Sequence, residues 1–271
     1  METGINVSDL IGVIDYRVAV TRDELEQSYR LVYNEYLKRN YTAKNDSGMR
    51  FSIFNALPQT TTFVAESNNS VLATATLIED SPLGLPMDEI YHDEVDKLRQ
   101  GGKKICEISM LASNTALFGS GISMMLNSKK MFFIFHLFKC VFDYALTQAN
   151  VDYFCITINP KHNLTYDFLL FKNMGELKAY NHANGAPALA KYLDLKLILS
   201  QSHSLASSGL YRMFFLKKTP LEKFANKFSF TSEDLKYFFA EKSDILRRAP
   251  SQHLEFLKNC YPACNFSEIL G

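Results

Sequence analysis

The sequence predicts an α/β protein, a mixed central sheet flanked by helices, with a helical extension at its C-terminal end. Three observations predict it. Candidate strands and helices interleave over the first two thirds of the chain, residues 104–113 carry the period-2 pattern of a two-faced strand, and residues 131–146 are apolar enough for a buried helix. Composition supports a packed body: 47% of the 271 residues are hydrophobic, which excludes disorder for most of the length. The 29 basic and 29 acidic residues cancel, so the broad positive field of a nucleic-acid binder is missing and no nucleic-acid partner is expected. Five cysteines form no paired framework, and METGINVSDL lacks a basic stretch followed by a long apolar run. Both features point to a reduced, cytoplasmic protein without a transmembrane segment. Cys260 and Cys264 alone are a weak metal signal, and no metal is expected.

In chain order, residues 1–15 form an N-terminal segment, and residues 16–20 read as the first strand. Thr21 and Glu24 make a T-x-x-E capping box that starts a helix. Leu25, Tyr29, Val32, Tyr33 and Tyr36 then recur at steps of four and three, which gives that helix an apolar, aromatic face. Arg30 lies off the stripe. It either pairs with Glu26 one turn earlier or turns into a pocket to hold an anion. Residues 40–60 are polar and irregular, as a mobile loop or lid would be. Residues 62–66 and 71–78 read as two strands joined at Ser67, Asn68, Asn69 and Ser70 by a hairpin turn. A short helix through Tyr91, Val95 and Leu98 ends at Gly101 and Gly102.

The central strand follows. Cys106, Ile108, Met110 and Ala112 alternate with Glu107, Ser109, Leu111 and Ser113. Glu107 is the best candidate for chemistry, because a carboxylate among apolar neighbours costs desolvation energy unless a reactive site uses it; the alternative is an ordinary solvent-facing Glu. After a flexible connection at 117–127, the apolar helix carries one narrow polar stripe, His136, Lys139 and Asp143. Lys129 and Lys130 stand near its N-terminus, either as solvated lysines or as a phosphate cradle. Residues 152–158 form a buried strand that ends at Asn159, Pro160, Lys161 and His162, and a short helix bearing Tyr166 comes next. Residues 193–199 and 211–216 read as the last strands, and helices are expected to start near Thr219, Ser232 and Ser251. The expected division is 1–15, a core at 16–200, and 201–271 as a strand and helices packed on that core.

This order of elements resembles the GCN5-related N-acetyltransferase (GNAT) fold. The runs GLPMDEIYHDEVDKLRQGGKKICEISMLAS (84–113) and INPKHNLTYDFLLF (158–171) are similar to the long-chain N-acyl amino acid synthases of the FeeM type, relatives of the acyl-homoserine lactone autoinducer synthases. The similarity covers roughly residues 16–195. It implies an acyltransferase that moves a long-chain fatty acyl group from acyl carrier protein to the amine of an amino acid. No cofactor is implied beyond the acyl-phosphopantetheine thioester as co-substrate. Glu107 and Ser109 match the family's E-x-S-R strand, Arg30 and Tyr33 match positions on the first helix that face the pocket, and Asn159, Pro160, His162 and Tyr166 match the N-P-x-H-x-x-x-Y segment. The chain departs from the pattern at Met110, where the family has Arg; the acceptor carboxylate is then held elsewhere, by Arg30 for example, or the acceptor differs.

The resemblance also implies roles. Glu107 is the expected base, with His162 as the alternative; a backbone amide near Leu111 or Ala112 would hold the oxyanion; and Tyr166 would protonate the thiolate or simply pack. Lys129, Lys130, Lys103 and Lys104 are candidates for docking the acidic carrier protein. The 21 Phe residues line an acyl tunnel or fill the core, and membrane contact is expected only peripherally, through the lipid product. Two other functions fit the residues: an acyl-homoserine lactone synthase, disfavoured by the absence of Trp and of the strand arginine, and a non-catalytic acyl or carrier-protein binding module.

Overall fold

The structure, a computed structural model, describes residues 14–118, 124–202, 211, 212, 214 and 217–271, without the side chains of 117, 118 and 124–132. Strand β1 (Asp15–Val18) leads into helix α1 (Arg22–Leu37). The helix starts where the sequence predicts: the Glu24 amide donates to Thr21 Oγ1 at 3.2 Å, and the Glu24 carboxylate accepts from the Val20 amide at 2.7 Å. Residues 38–60 contain one 3₁₀ turn, Ile53–Ala56. They are not the loose lid the composition suggests, because Met49, Asn55, Ala56 and Leu57 are buried and Arg30 donates to the Ser47 carbonyl at 3.0 Å. Strands β2 (Thr61–Ser67) and β3 (Ser70–Glu79) form the expected hairpin, with Asn68 and Asn69 both at positive φ in the turn.

Helix α2 (Asp88–Arg99) is tied to the end of β3 by Arg99, which reaches Asp80 at 2.7 Å and Asp88 at 2.5 Å. Strand β4 (Ile105–Ser113), helix α3 (Met124–Tyr144) and strand β5 (Tyr153–Ile158) complete the centre. The polar stripe of α3 is not left open: Lys139 and Asp143 are buried and pair at 2.5 Å, and Asp143 also accepts from the Thr219 amide. A 3₁₀ turn, Pro160–His162, and helix α4 (Asn163–Phe168) lead to strands β6 (Lys172–Asn173), β7 (Lys178–Tyr180) and β8 (Ala186–Asp194).

The end of the chain departs from the expectation. The strand β8 stops at Asp194, whose side chain accepts from the Leu197 amide and caps helix α5 (Leu195–Ser200), so the apolar run at 193–199 is mostly helix. Tyr211, Arg212 and Phe214, the described part of the other expected strand, are helical. Near Thr219 the chain forms only a 3₁₀ turn, Leu221–Phe224. Helices α6 (Ser232–Lys236), α7 (Ile245–Arg248), α8 (Ser251–Cys260) and α9 (Phe266–Leu270) follow. Leu235, Leu246, Leu257, Phe266 and Ile269 of these helices, with Phe238 and Phe239 of the turn after α6, share one buried cluster with Leu25 and Tyr29 of α1 and Val64 and Val71 of the hairpin.

The sheet order is β1-β2-β3-β4-β5-β8-β6, with β7 also on β8. All neighbours are antiparallel except β4 and β5. Phe63 and Val64 point to opposite faces: Phe63 joins the cluster of α3, and Val64 joins that of α1 and the C-terminal helices. Among the described residues no helix is long and apolar enough to cross a membrane, and no group of three metal-binding side chains occurs. All five cysteines are free thiols.

Candidate active site

Two irregularities of β4 build the site. The first is a bulge. Thr74 pairs with Ala112 and Thr76 with Ser109, so Ala75 alone faces Met110 and Leu111, and Met110 takes φ +52. The strict alternation read from the sequence is therefore interrupted. Met110 and Ala112 turn to the α1 face, where they contact Val32, while Leu111 turns to the α3 core.

The second is a fork. The parallel pairing of β4 with β5 runs only from Ile105 opposite Tyr153 to Glu107 opposite Cys155, although β4 continues to Ser113 and β5 to Ile158. Beyond Glu107 the two strands separate. A cavity of about 580 Å³ opens between them, within the range of small-molecule sites. It reaches both faces of the sheet, being lined by Tyr36 of α1 and also by Ile134 of α3.

Glu107 sits at the apex of the fork, 2% exposed. Its Oε2 accepts one hydrogen bond, from the Met87 amide at 2.8 Å, and the loop that carries this amide is held by Asp88, which accepts from the Leu85 amide and from Arg99. Burial pushes the carboxyl up to about 8, against the partial relief of that amide and with a further push from Asp88. A carboxyl with this value exchanges protons near neutral pH.

The cavity also collects Ser109, Leu111, Ala112, Asn159, His162 and Tyr166. The Asn159 side chain accepts from the Lys161 amide at 3.2 Å and fixes the turn after β5, while His162 lies exposed at the rim. Tyr166 is buried edge-on to Phe138 and Phe171, and its hydroxyl is held well above the usual phenol range by burial. Helix α4 is held in place by Lys191 of β8, a fully buried lysine that donates to Asn163 at 2.9 Å, Asp167 at 2.7 Å and Asn173 at 2.5 Å.

Two expected residues are not in the site. Arg30 bonds the Glu26 carboxylate at 2.6 Å and the Ser47 carbonyl, and the Tyr33 hydroxyl accepts from the Asn45 amide; neither lines the cavity. Helix α1 instead presents Glu35 and Tyr36, about one turn further on, and Arg39 follows just past its end. The loop 38–60 and the β7–β8 region add Tyr41, Arg50, Tyr180 and His182, which carry no periodic signal in the sequence. Glu35 is as buried as Glu107, yet burial, which alone would raise its carboxyl, is outweighed by hydrogen bonds from Lys38, Arg39 and Thr115, and it is lowered. Lys129 and Lys130 lie on α3, but their side chains fall outside the described residues. Lys103 and Lys104 are paired, with Asp152 at 4.0 Å and Glu79 at 2.7 Å.

Comparison with known proteins bears on this geometry. A family profile described as the N-acyl amino acid synthase FeeM matches residues 27–194. The solved structure of FeeM, an N-acyl amino acid synthase from uncultured soil microbes, is 32% identical, with a TM-score of 0.57 over 69% of this chain and 94% of that one. The AHL synthase LasI has a TM-score of 0.50 over 68% of this chain and 89% of its own, at 12% identity, a likeness of fold alone. No curated protein matches the sequence.

Proposed function

The chain belongs to the FeeM family of N-acyl amino acid synthases and is an acyltransferase on a GNAT-like fold, and from that premise we propose that it moves a long-chain acyl group from acyl carrier protein to the amine of an amino acid. The observation that carries the reading is the position of Glu107: a buried carboxyl of pKa about 8 at the apex of a forked cavity. An amino acid's amine is mostly protonated at neutral pH and cannot attack a thioester until it loses a proton. Glu107 takes that proton, directly or through one water. It suits the role better than His162, whose exposed position lets bulk water compete.

The freed nitrogen attacks the thioester carbonyl carbon, forming the C–N bond, and the carbonyl oxygen becomes an oxyanion. Beyond Glu107 the backbone of β4 has no strand partner on the β5 side, so an amide that points to that side in the bulged stretch around Leu111 can donate to it. Collapse breaks the C–S bond. Tyr166, which burial keeps protonated, lines the same cavity and can give its proton to the departing thiolate while the attacking nitrogen gives up its second proton, which restores the phenol. The apolar lining from Ile134, Ile156 and Ile158 supports a hydrocarbon chain as the acyl group, and acyl carrier protein as its donor rests on the family relationship.

Mass spectrometry of lipid extracts from bacterial cells expressing the wild type or Glu107→Ala tests this. N-acyl amino acids are expected with the wild type alone. No new lipid from soluble wild-type protein would overturn the assignment.

A further inference from the structure

Resting on the amino-acid acceptor proposed above, we propose that Arg50 is the anchor for the acceptor's carboxylate, with the Tyr41 hydroxyl as a second donor. The starting point is a deficit. On β4, three residues past Glu107, the cavity wall is Met110, a thioether that can accept a weak hydrogen bond from the Asn55 side chain at 3.7 Å and cannot hold an anion. A carboxylate entering a largely apolar cavity without a cation would carry its full desolvation cost.

The cations lining the cavity differ in what already occupies them. Arg39 donates to the Glu35 carboxylate at 2.8 Å and to the Glu35 carbonyl. His182 stands 2.9 Å from Glu89. Arg50 has only neutral partners: Thr42 Oγ1 at 3.3 Å and the carbonyl of His182. Among the described residues no carboxylate lies within ion-pair distance of it. Its Nε is buried without a hydrogen-bond partner, and so is the Tyr41 hydroxyl. A buried donor left unmade costs about 1–3 kcal/mol, so two beside one aromatic ring call for an acceptor.

That ring is Tyr36. The Arg50 guanidinium lies over it at 5.2 Å, and Tyr41 meets it edge-on with centroids 5.9 Å apart. The arginine is held from behind as well, since its own amide donates to the Tyr29 carbonyl at 3.1 Å. Tyr36 and Tyr180, which line the cavity, each feel both Glu107 and Arg50 electrostatically, so base and cation lie within range of the same two rings. An α-amino acid carries its amine and carboxylate on one carbon. With the carboxylate on the free edge of Arg50, the nitrogen is turned toward Glu107.

Equilibrium binding of two probes to the full chain tests the proposal: N-dodecanoylglycine and N-methyldodecanamide, which differ only by the carboxylate. The wild type is expected to bind the acid about 10–100-fold more tightly, the range of a charge-assisted hydrogen bond. Arg50→Gln is expected to bring the two affinities within about threefold by weakening the acid alone. Arg50→Lys, which keeps the charge but loses the planar fork, should fall between them. A preference undiminished in Arg50→Gln, or an equal loss for both probes with the melting temperature lowered, would overturn the role of Arg50 and leave the amino-acid reading intact. No preference in the wild type itself would overturn both, and that failure shows before any variant is made.

Discussion

The two walls of the cleft each bury a glutamate, and they treat it oppositely. On the helix wall, Glu35 is surrounded by Lys38, Arg39 and Thr115, and its carboxyl is lowered. On the strand wall, Glu107 receives one backbone amide and has an acidic neighbour, and its carboxyl rises to about 8. Both are 2% exposed. Burial alone therefore does not make a reactive group. The difference lies in the partners: cations turn a buried carboxylate into a structural tie between α1 and the segment after β4, whereas a nearly unpartnered one stays ready to exchange a proton.

The most direct way to break the contrast is Glu107→Gln. Loss of a general base predicts a fall in kcat/KM of about 10²–10⁴. The wild-type rate should carry an inflection near 8 from this carboxyl, and the variant should lose that inflection and keep only the rise that follows the fraction of unprotonated amine. Steady-state kinetics from pH 6 to 9 would remove Glu107 from the mechanism if the variant kept the wild-type inflection. Stability gives an independent reading of the same group. The folded value lies above the unfolded 4.5, so between about 4.5 and 8 the folded state binds more protons, and the contribution of this group to stability declines as pH rises through that window. Glu107→Gln should therefore gain stability relative to wild type toward pH 8.

Next in size is Glu35→Gln, which leaves Arg39 and Thr115 without their carboxylate. A loss of about 3 kcal/mol at pH 7, read by chemical denaturation, follows from breaking a buried pair. Here the sign is reversed. A lowered carboxyl contributes stability above its ordinary range and loses it as pH falls, so the gap between variant and wild type should narrow in acid. A gap constant down to pH 3 would show that Glu35 is not ionised in the fold. The smallest effect is expected from Thr115→Val, which removes one hydroxyl donor to Glu35 at 3.0 Å: about 1 kcal/mol of stability, with the pH–rate profile unmoved. A shift of that profile would mean that the two walls are coupled.

Much of the scaffold was legible in the sequence because local chemistry fixed it. Thr21 with Glu24 starts α1, and Asn68 with Asn69 supplies the two positive φ angles of the hairpin turn. Glu107 could be picked out because one charge interrupted an apolar strand. Tyr33 misled because the α1 stripe is wide, a 3.6-residue period showing that a face is buried but not which turn of it meets the cleft, and Arg30, off that stripe, was placed in the pocket by resemblance alone. Ser28, Val32, Glu35 and Arg39 recur at steps of four, three and four, a signal that placed Glu35 on the inner side for a reader willing to bury a charge. Arg50 had no such signal, being in an irregular segment whose path depends on contacts with Tyr29, Thr42 and His182. The run at 193–199 misled because a short apolar stretch suits strand or helix equally, and a capping aspartate decided it.

The fork at Glu107 also bears on self-association. Among the described residues the outer edges of the sheet are poor templates for another chain: β1 has four residues, with Arg17 tied to Glu24, and on the far side β6 has two and β7 three. The long stretch of unpaired strand backbone is inside, where β4 parts from β5. A sheet built this way directs strand addition inward. An extended, amide-bearing arm can join it there, while a neighbouring protein finds little to pair with outside, so the feature that admits a substrate does not carry the aggregation hazard of an open edge.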